Sequence, residues 1–220
     1  RDWSSDVCSS DLVLTGNNSY TGATTINAGT LSVSSLANGG TNSNIGASTN
    51  AAANLVLGGG TLLYTGATAS TNRNFTLTAG TTSTINVSSG ATNLTISGAD
   101  TATTGALTKD GPGTLTLSGA NMHTGATTLA AGTLRGQGVA GALGARSLVL
   151  NAGTLELAGD TAIAFNRNTT VNGPVTIKSD RVTSGAGVTH TLGTLSVGAQ
   201  TLTTSTGTNV SSGTAGVTFG

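Results

Sequence analysis

The sequence predicts an all-β fold wound as a parallel β-helix (β-solenoid). Three observations predict it: a composition of small polar and β-branched residues, an internal repeat, and short period-2 alternations closed by Gly and Asn turns. Gly, Thr, Ser and Asn supply 34, 44, 23 and 18 of the 220 residues. Charged residues are only 7% of the chain, where an ordinary domain carries about 25%. Aromatics are 3%, and 8 basic side chains balance 8 acidic ones. Disordered chains combine few apolar residues with high net charge, so this neutral chain has to bury something, and it does so with small side chains. The same counts exclude other classes. Eight scattered cations do not make a surface that neutralises phosphates, so nucleic acid is not an expected partner. No run of about 20 apolar residues exists to cross a membrane as a helix. One Glu and two Lys do not write heptads.

The chain opens on a segment unlike the rest. Residues 1–12 hold the only Trp, the only Cys and three of the seven Asp. From Asp2 to Leu12 they resemble the in-frame translation of a short-read sequencing adaptor, DWSSDVCSSDL, without a mismatch. The segment is therefore expected to be non-native, and Cys8 carries no information about redox compartment. The native part is expected to be residues 13–220. It stops at Val217-Thr218-Phe219-Gly220 in mid-pattern, which predicts a β-helix incomplete at both ends.

Repetition comes next. Leu14 to Leu31 reads LTGNNSYTGATTINAGTL and Leu117 to Leu134 reads LSGANMHTGATTLAAGTL, with 12 of 18 positions identical at an offset of 103. Further on, Leu55 to Leu62 aligns with Leu148 to Leu155 at an offset of 93, and Asn72-Arg73-Asn74 with Asn166-Arg167-Asn168 at 94, so the cassettes differ by a loop-sized length change. A smaller unit begins at Gly113, Gly132, Gly153 and Gly193, in steps of 19, 21 and 40, the last read as two coils. A period of about 20 residues suits one solenoid coil. Each strand alternates Leu, Val or Ile inward with Thr or Ser outward, and Gly and Asn supply the positive-φ corners. No segment sustains a 3.6-residue period; Ala51-Ala52-Ala53 is too short for a helix. Strands this short, with so few aromatics, argue against an Ig-like sandwich.

The run Lys109-Asp110-Gly111-Pro112-Gly113 to Asn121, followed by Thr124-Gly125-Ala126-Thr127-Thr128 and Ala131 to Leu134, resembles the autotransporter-associated β-strand repeat, in copies at 14–31 and 113–134. The second copy departs from the usual pattern at His123, where the first keeps Tyr20. The resemblance implies a right-handed parallel β-helix in a passenger domain, exported through the outer membrane of a Gram-negative bacterium by a C-terminal β-barrel. That barrel is the partner expected in the full-length chain, and its aromatic-girdled strands are not seen in this sequence.

Few residues offer a candidate site. The carboxylates are Asp100, Asp110, Glu156, Asp160 and Asp180. Asp160 and Asp180 are one such period apart and would stack on adjacent coils, with Lys178 and Arg181 nearby, the best arrangement for a polysaccharide-cleaving site; read plainly, they are turn residues after Gly159 and Ser179. Arg73 and Arg167 share a repeat position and are expected to satisfy backbone carbonyls at a corner. His123 and His190 lack a second ligand at metal spacing. Gly58-Gly59-Gly60 and Gly111-Pro112-Gly113 read as turns, not phosphate loops. With 23 Ser and two His, no Ser/His/Asp set is singled out. Thr-x-Thr pairs, among them those that start at Thr76, Thr101, Thr114, Thr189, Thr201, Thr204 and Thr206, are irregularly spaced, against one pair per coil in an ice-binding face. The expectation is a structural stalk or adhesive module at the bacterial cell surface, with no catalysis, cofactor or metal of its own, an unidentified host-surface or glycan ligand, and a tendency to associate end to end. The alternatives are a polysaccharide-cleaving β-helix and a Thr-face binder.

Overall fold

The computed structural model describes residues 11–220. Arg1 to Ser10 of the adaptor-like segment lie outside them; its last residue, Leu12, opens the first strand opposite Leu31. The described chain is a stack of coils with three faces. The long face is a nine-stranded parallel sheet running from Leu12–Leu14 to Leu195–Val197. The second face is a seven-stranded parallel sheet from Ala69–Thr71 to Leu202–Thr206. The third face is less regular. It begins with Thr24–Ile26, Leu55–Leu57 and Thr76–Leu77, continues through single bridges such as Phe75 to Asp100, and ends in short strand pairs. Among the described residues, helix is confined to two single turns, Ala52–Asn54 and Ala140–Leu143.

Alternation within each strand becomes a column across coils. On the second face Leu94, Leu115, Leu134, Leu155 and Ile177 stand in register and point inward, all without solvent exposure. At about 1.5–3 kcal/mol for each fully buried aliphatic side chain, such columns hold the stack together. No coil could bury its own apolar stripe alone. On the long face the inward column Leu31, Leu62, Ile85, Leu129, Leu150 is interrupted by Lys109, between Ile85 and Leu129. This lysine has no exposure, and its Nζ donates to the carbonyls of Asp110 and Gly111 at 2.7 Å and of Ala131 at 3.1 Å. It ties its own turn to the next coil. Burial lowers its pKa to about 8, with Asp110 acting in the opposite direction.

Two features of the winding differ from the expected period. Thr114, Thr133, Thr154 and Thr176 mark successive short coils, close to the expected length. The coils from Thr30 to Thr61 and from Thr176 to Thr203 are clearly longer. The unit at Gly193 therefore does not continue the Gly113, Gly132, Gly153 column. Leu195–Val197 pairs with Thr169–Val171 on the long face, while Val175–Asp180 follows Gly153–Ala158 on the second. The two repeat copies are also one face apart. Copy one puts Thr24–Ile26 on the third face and Thr30–Val33 on the long face; copy two puts Thr127–Leu129 on the long face and Thr133–Gln137 on the second.

Candidate functional site

The outward columns come first, because they form the accessible faces. On the second face Asn93, Thr114, Thr133, Thr154, Thr176 and Thr203 stand in register, beside a column of Thr95, Thr116, Arg135, Glu156, Lys178 and Ser205. On the long face Thr30, Thr61, Thr84, Thr108 and Thr128 form a similar row. Single threonines thus align over many coils, which a search for Thr-x-Thr pairs does not detect. The pairs themselves do not align: Thr114-x-Thr116 lies on the second face, Thr189-x-Thr191 on the third.

The carboxylates do not form the expected pair. Ala158, not Asp160, is opposite Asp180. Asp160 lies in a loop, where it accepts the N–H groups of Val182 and Thr183 and faces Arg181 at 3.5 Å. The hydrogen bond from the Thr183 backbone is the main influence holding its carboxyl below the usual range. Asp180 is fully buried and joins Glu156 and Arg135 instead. Arg135 Nη1 donates to Glu156 and, at 2.8 Å, to Asp180, while its Nη2 donates to the Arg181 carbonyl at 2.7 Å. Asn209 N–H closes on Asp180 at 2.9 Å. Burial, then the hydrogen bond to Asp180, raises the Glu156 pKa to about 7 against the pull of Arg135. Burial would raise Asp180 too, but hydrogen bonds from Glu156, the Arg181 backbone, Arg135 and Asn209 hold it below the normal range. Below about pH 7 a proton is held on Glu156, which leaves one carboxylate for one guanidinium. A glycosidase needs its carboxyl groups about 5 Å or more apart with the sugar between them; here they bond to each other. The cluster is a clamp across three coils.

The clamp has a pH signature. Glu156 binds its proton more tightly in the folded chain (about 7) than at its ordinary value of 4.5. Stability from this group is therefore full below the lower value and declines as pH rises through the upper one. Glu156→Gln mimics the protonated form and should be more stable than the parent at pH 8 by about 1–2 kcal/mol after allowing for solvent screening, with the difference vanishing near pH 4.5. Urea melts of both chains at several pH values measure that difference, in which contributions from other groups cancel. An unchanged or less stable variant at pH 8 would refute the assignment.

The histidines are structural. His190 Nδ1 accepts the Ile163 N–H at 3.1 Å, and its Nε2 donates to the Asp180 carbonyl at 3.1 Å. Burial lowers its pKa, which favours that neutral form. His123 stands in a line that sequence reasoning missed: Nδ1 meets Asp100, and Nε2 meets Thr127 Oγ1 at 2.8 Å. This resembles a Thr/His/Asp relay, yet Thr127 and Asp100 are 1% and 2% exposed, and the Thr127 hydroxyl donates to the Leu143 carbonyl. Copy one explains it. Tyr20 hydroxyl meets Thr24 Oγ1 at 2.9 Å, as His123 meets Thr127. Ala47 N–H bonds the Tyr20 carbonyl and Ala145 N–H the His123 carbonyl. Each ring lies under a left-handed glycine of the next coil, Gly46 or Gly144, where a Cβ would crowd the ring atoms closer than real contacts allow. The signal was the Tyr-to-His exchange at offset 103, with an Asp one coil upstream.

Arg73 and Arg167 diverge. Arg73 is buried, and all five N–H donors are used on Ala37, Thr41, Gly46 and Ser48. Arg167 reaches only the carbonyls of Ala145 and Ala140, at 3.2 and 3.4 Å. Among the described residues no three His, Cys, Asp or Glu side chains gather where they could hold a metal ion.

These geometries define a parallel β-solenoid whose repeated corners join coil to coil. Residues 9–33 and 107–135 match the model of the passenger-associated-transport-repeat, and the chain carries autotransporter passenger repeats. It is 53% identical over 136 residues, 61% of its length, to the adhesin BmaC autotransporter of Brucella suis biovar 1 (strain 1330). The match spans only 4% of that much longer relative. No solved structure matches the chain.

Proposed function

We propose that the chain is a non-enzymatic structural and adhesive segment of an autotransporter passenger, held at the bacterial surface through a C-terminal β-barrel of the full-length protein. The observation that carries this reading is the way its chemistry is used. Arg73, Lys109, Arg135, Glu156, Asp180, His123 and His190 all spend their polar atoms on bonds within the stack. What remains outside is mainly rows of Thr, Asn and Ser, suited to spacing and weak multivalent contact rather than to bond cleavage. The match to an adhesin agrees with it. Isolated copies are expected to associate end to end through open strand edges.

The test uses beads carrying the 220-residue chain, scored for adhesion to mammalian cell monolayers against beads carrying an unrelated solenoid. Specific, saturable adhesion is expected, with no new reducing ends when the chain is incubated with a panel of polysaccharides. Beads that bind no better than the control, or release of reducing ends, would overturn the reading.

A further inference from the structure

The ten residues by which the second cassette is shorter have a structural consequence. In the first cassette the connection from Leu31 to Leu55 includes Ala37, Thr41, Gly46 and Ser48, whose oxygens saturate Arg73. In the second, Leu134 leads to Leu148 in ten fewer residues, and the equivalent Arg167 is left with two long hydrogen bonds and a buried Nε that has no partner. Where the first cassette is closed by its own loop, the second has an open groove of about 410 Å³ beside this arginine, lined by Ala145, Arg146, Ser147, Asn166 and Asn168.

We propose that this groove binds an acidic saccharide, a sugar bearing a carboxylate or sulfate, with Arg146 on its wall taking the anion. Four observations converge on it. Arg146 is exposed on the groove wall, and among the described residues no carboxylate pairs with it or with Arg167. The other described arginines are committed, Arg135 and Arg181 to carboxylates and Arg73 to carbonyls. The lining is hydroxyl, amide and guanidinium with Ala145 as its one apolar side chain, which suits a hydroxyl-rich ligand and offers nothing to an apolar one. Asn166 is the non-glycine residue with a left-handed backbone (φ 55°) among the described residues, and strain of that kind collects at ligand clamps. The first cassette shows what satisfies such an arginine, a ring of oxygens. Guanidinium groups take carboxylate or sulfate in the same way, through paired N–H donors.

This inference names a ligand class for the adhesive reading, and its biological role rests on that reading. Calorimetric titration of the 220-residue chain would use three probes: oligogalacturonate (carboxylated), heparin-derived oligosaccharide (sulfated) and dextran oligosaccharide (neutral). Binding is expected for one or both acidic probes and not for dextran, weakening as salt is added. Arg146→Gln should reduce affinity about tenfold or more, the loss of one charge-assisted contact, with the circular dichroism spectrum unchanged. Arg167 does not line the groove, so the exposed Arg146 decides. No acidic binding, equal binding of dextran, or indifference to Arg146→Gln overturns the proposal. The bead assay separates the two readings. Beads that adhere equally with and without Arg146 remove the groove and keep the adhesin; Arg146-dependent sugar binding without bead adhesion does the reverse.

Discussion

Arg73→Met is expected to cost the chain about 3 kcal/mol or more, because it removes five hydrogen bonds made by a buried charged group, each worth about 1.5–3 kcal/mol. Methionine matches the stem but donates nothing. Four carbonyls, those of Ala37, Thr41, Gly46 and Ser48, together with the Ser48 hydroxyl, lose the guanidinium that gathers them. The damage should be local, since a solenoid coil interacts with its neighbours and little else. Hydrogen exchange is the measurement: amides of Gly40 and Ala47, which bond Ser48 and Tyr20 across the loop, should lose protection, while amides around Leu155 keep theirs. Arg167→Met should cost under about 1 kcal/mol, as its two bonds are long and solvent-exposed. Equal penalties at the two positions would mean that the shared repeat position, not the filled socket, sets the energy.

How far the sequence can be read follows from the same pair. Alternation of Leu with Thr marks the strands and their inward face because period 2 is a local property. The repeat at offset 103 marks the cassettes, and the drop to 93 marks the length change. What a period cannot supply is phase around the stack. A regular period stacks Asp160 on Asp180, but the coil there runs from Ala158 to Asp180, so Ala158 takes the opposite place. That slip of two positions aims Asp180 at Arg135 and Glu156 and leaves Asp160 in a loop with Arg181. Spacing likewise assigns Gly193 to a column it does not join, because the coil before it is lengthened by the segment around Gly185 and Ala186. Lys109 inside an apolar column is not legible either. Its partners are carbonyls, which no side-chain pattern records.

His123→Tyr is the second substitution expected to be severe, although it restores the residue that the first copy carries. Tyr20 shows that a phenol fits beneath the left-handed glycine and reaches the threonine hydroxyl. Ring size is therefore not the obstacle. The obstacle is Asp100, which is 2% exposed and whose side-chain partners are the His123 ring and the N–H groups of Met122 and His123. Removing the imidazole leaves a buried carboxylate without its counter-group, a loss of about 3–5 kcal/mol in comparable sites. Pairing His123→Tyr with Asp100→Asn replaces the stranded acid by an amide. The amide oxygen can still accept the Met122 and His123 N–H groups, and the double variant should recover most of the loss. A double-mutant cycle by urea denaturation measures the coupling directly. If His123→Tyr alone melts with the parent, Asp100 does not depend on the imidazole and the pair is incidental. If the single variant falls and the double variant does not recover, the defect lies in the ring's packing under Gly144 instead. Recovery would show that the second copy exchanged a ring-to-hydroxyl corner for one that also engages a buried acid, without altering the coil, which is how a solenoid can vary its repeats while keeping its winding.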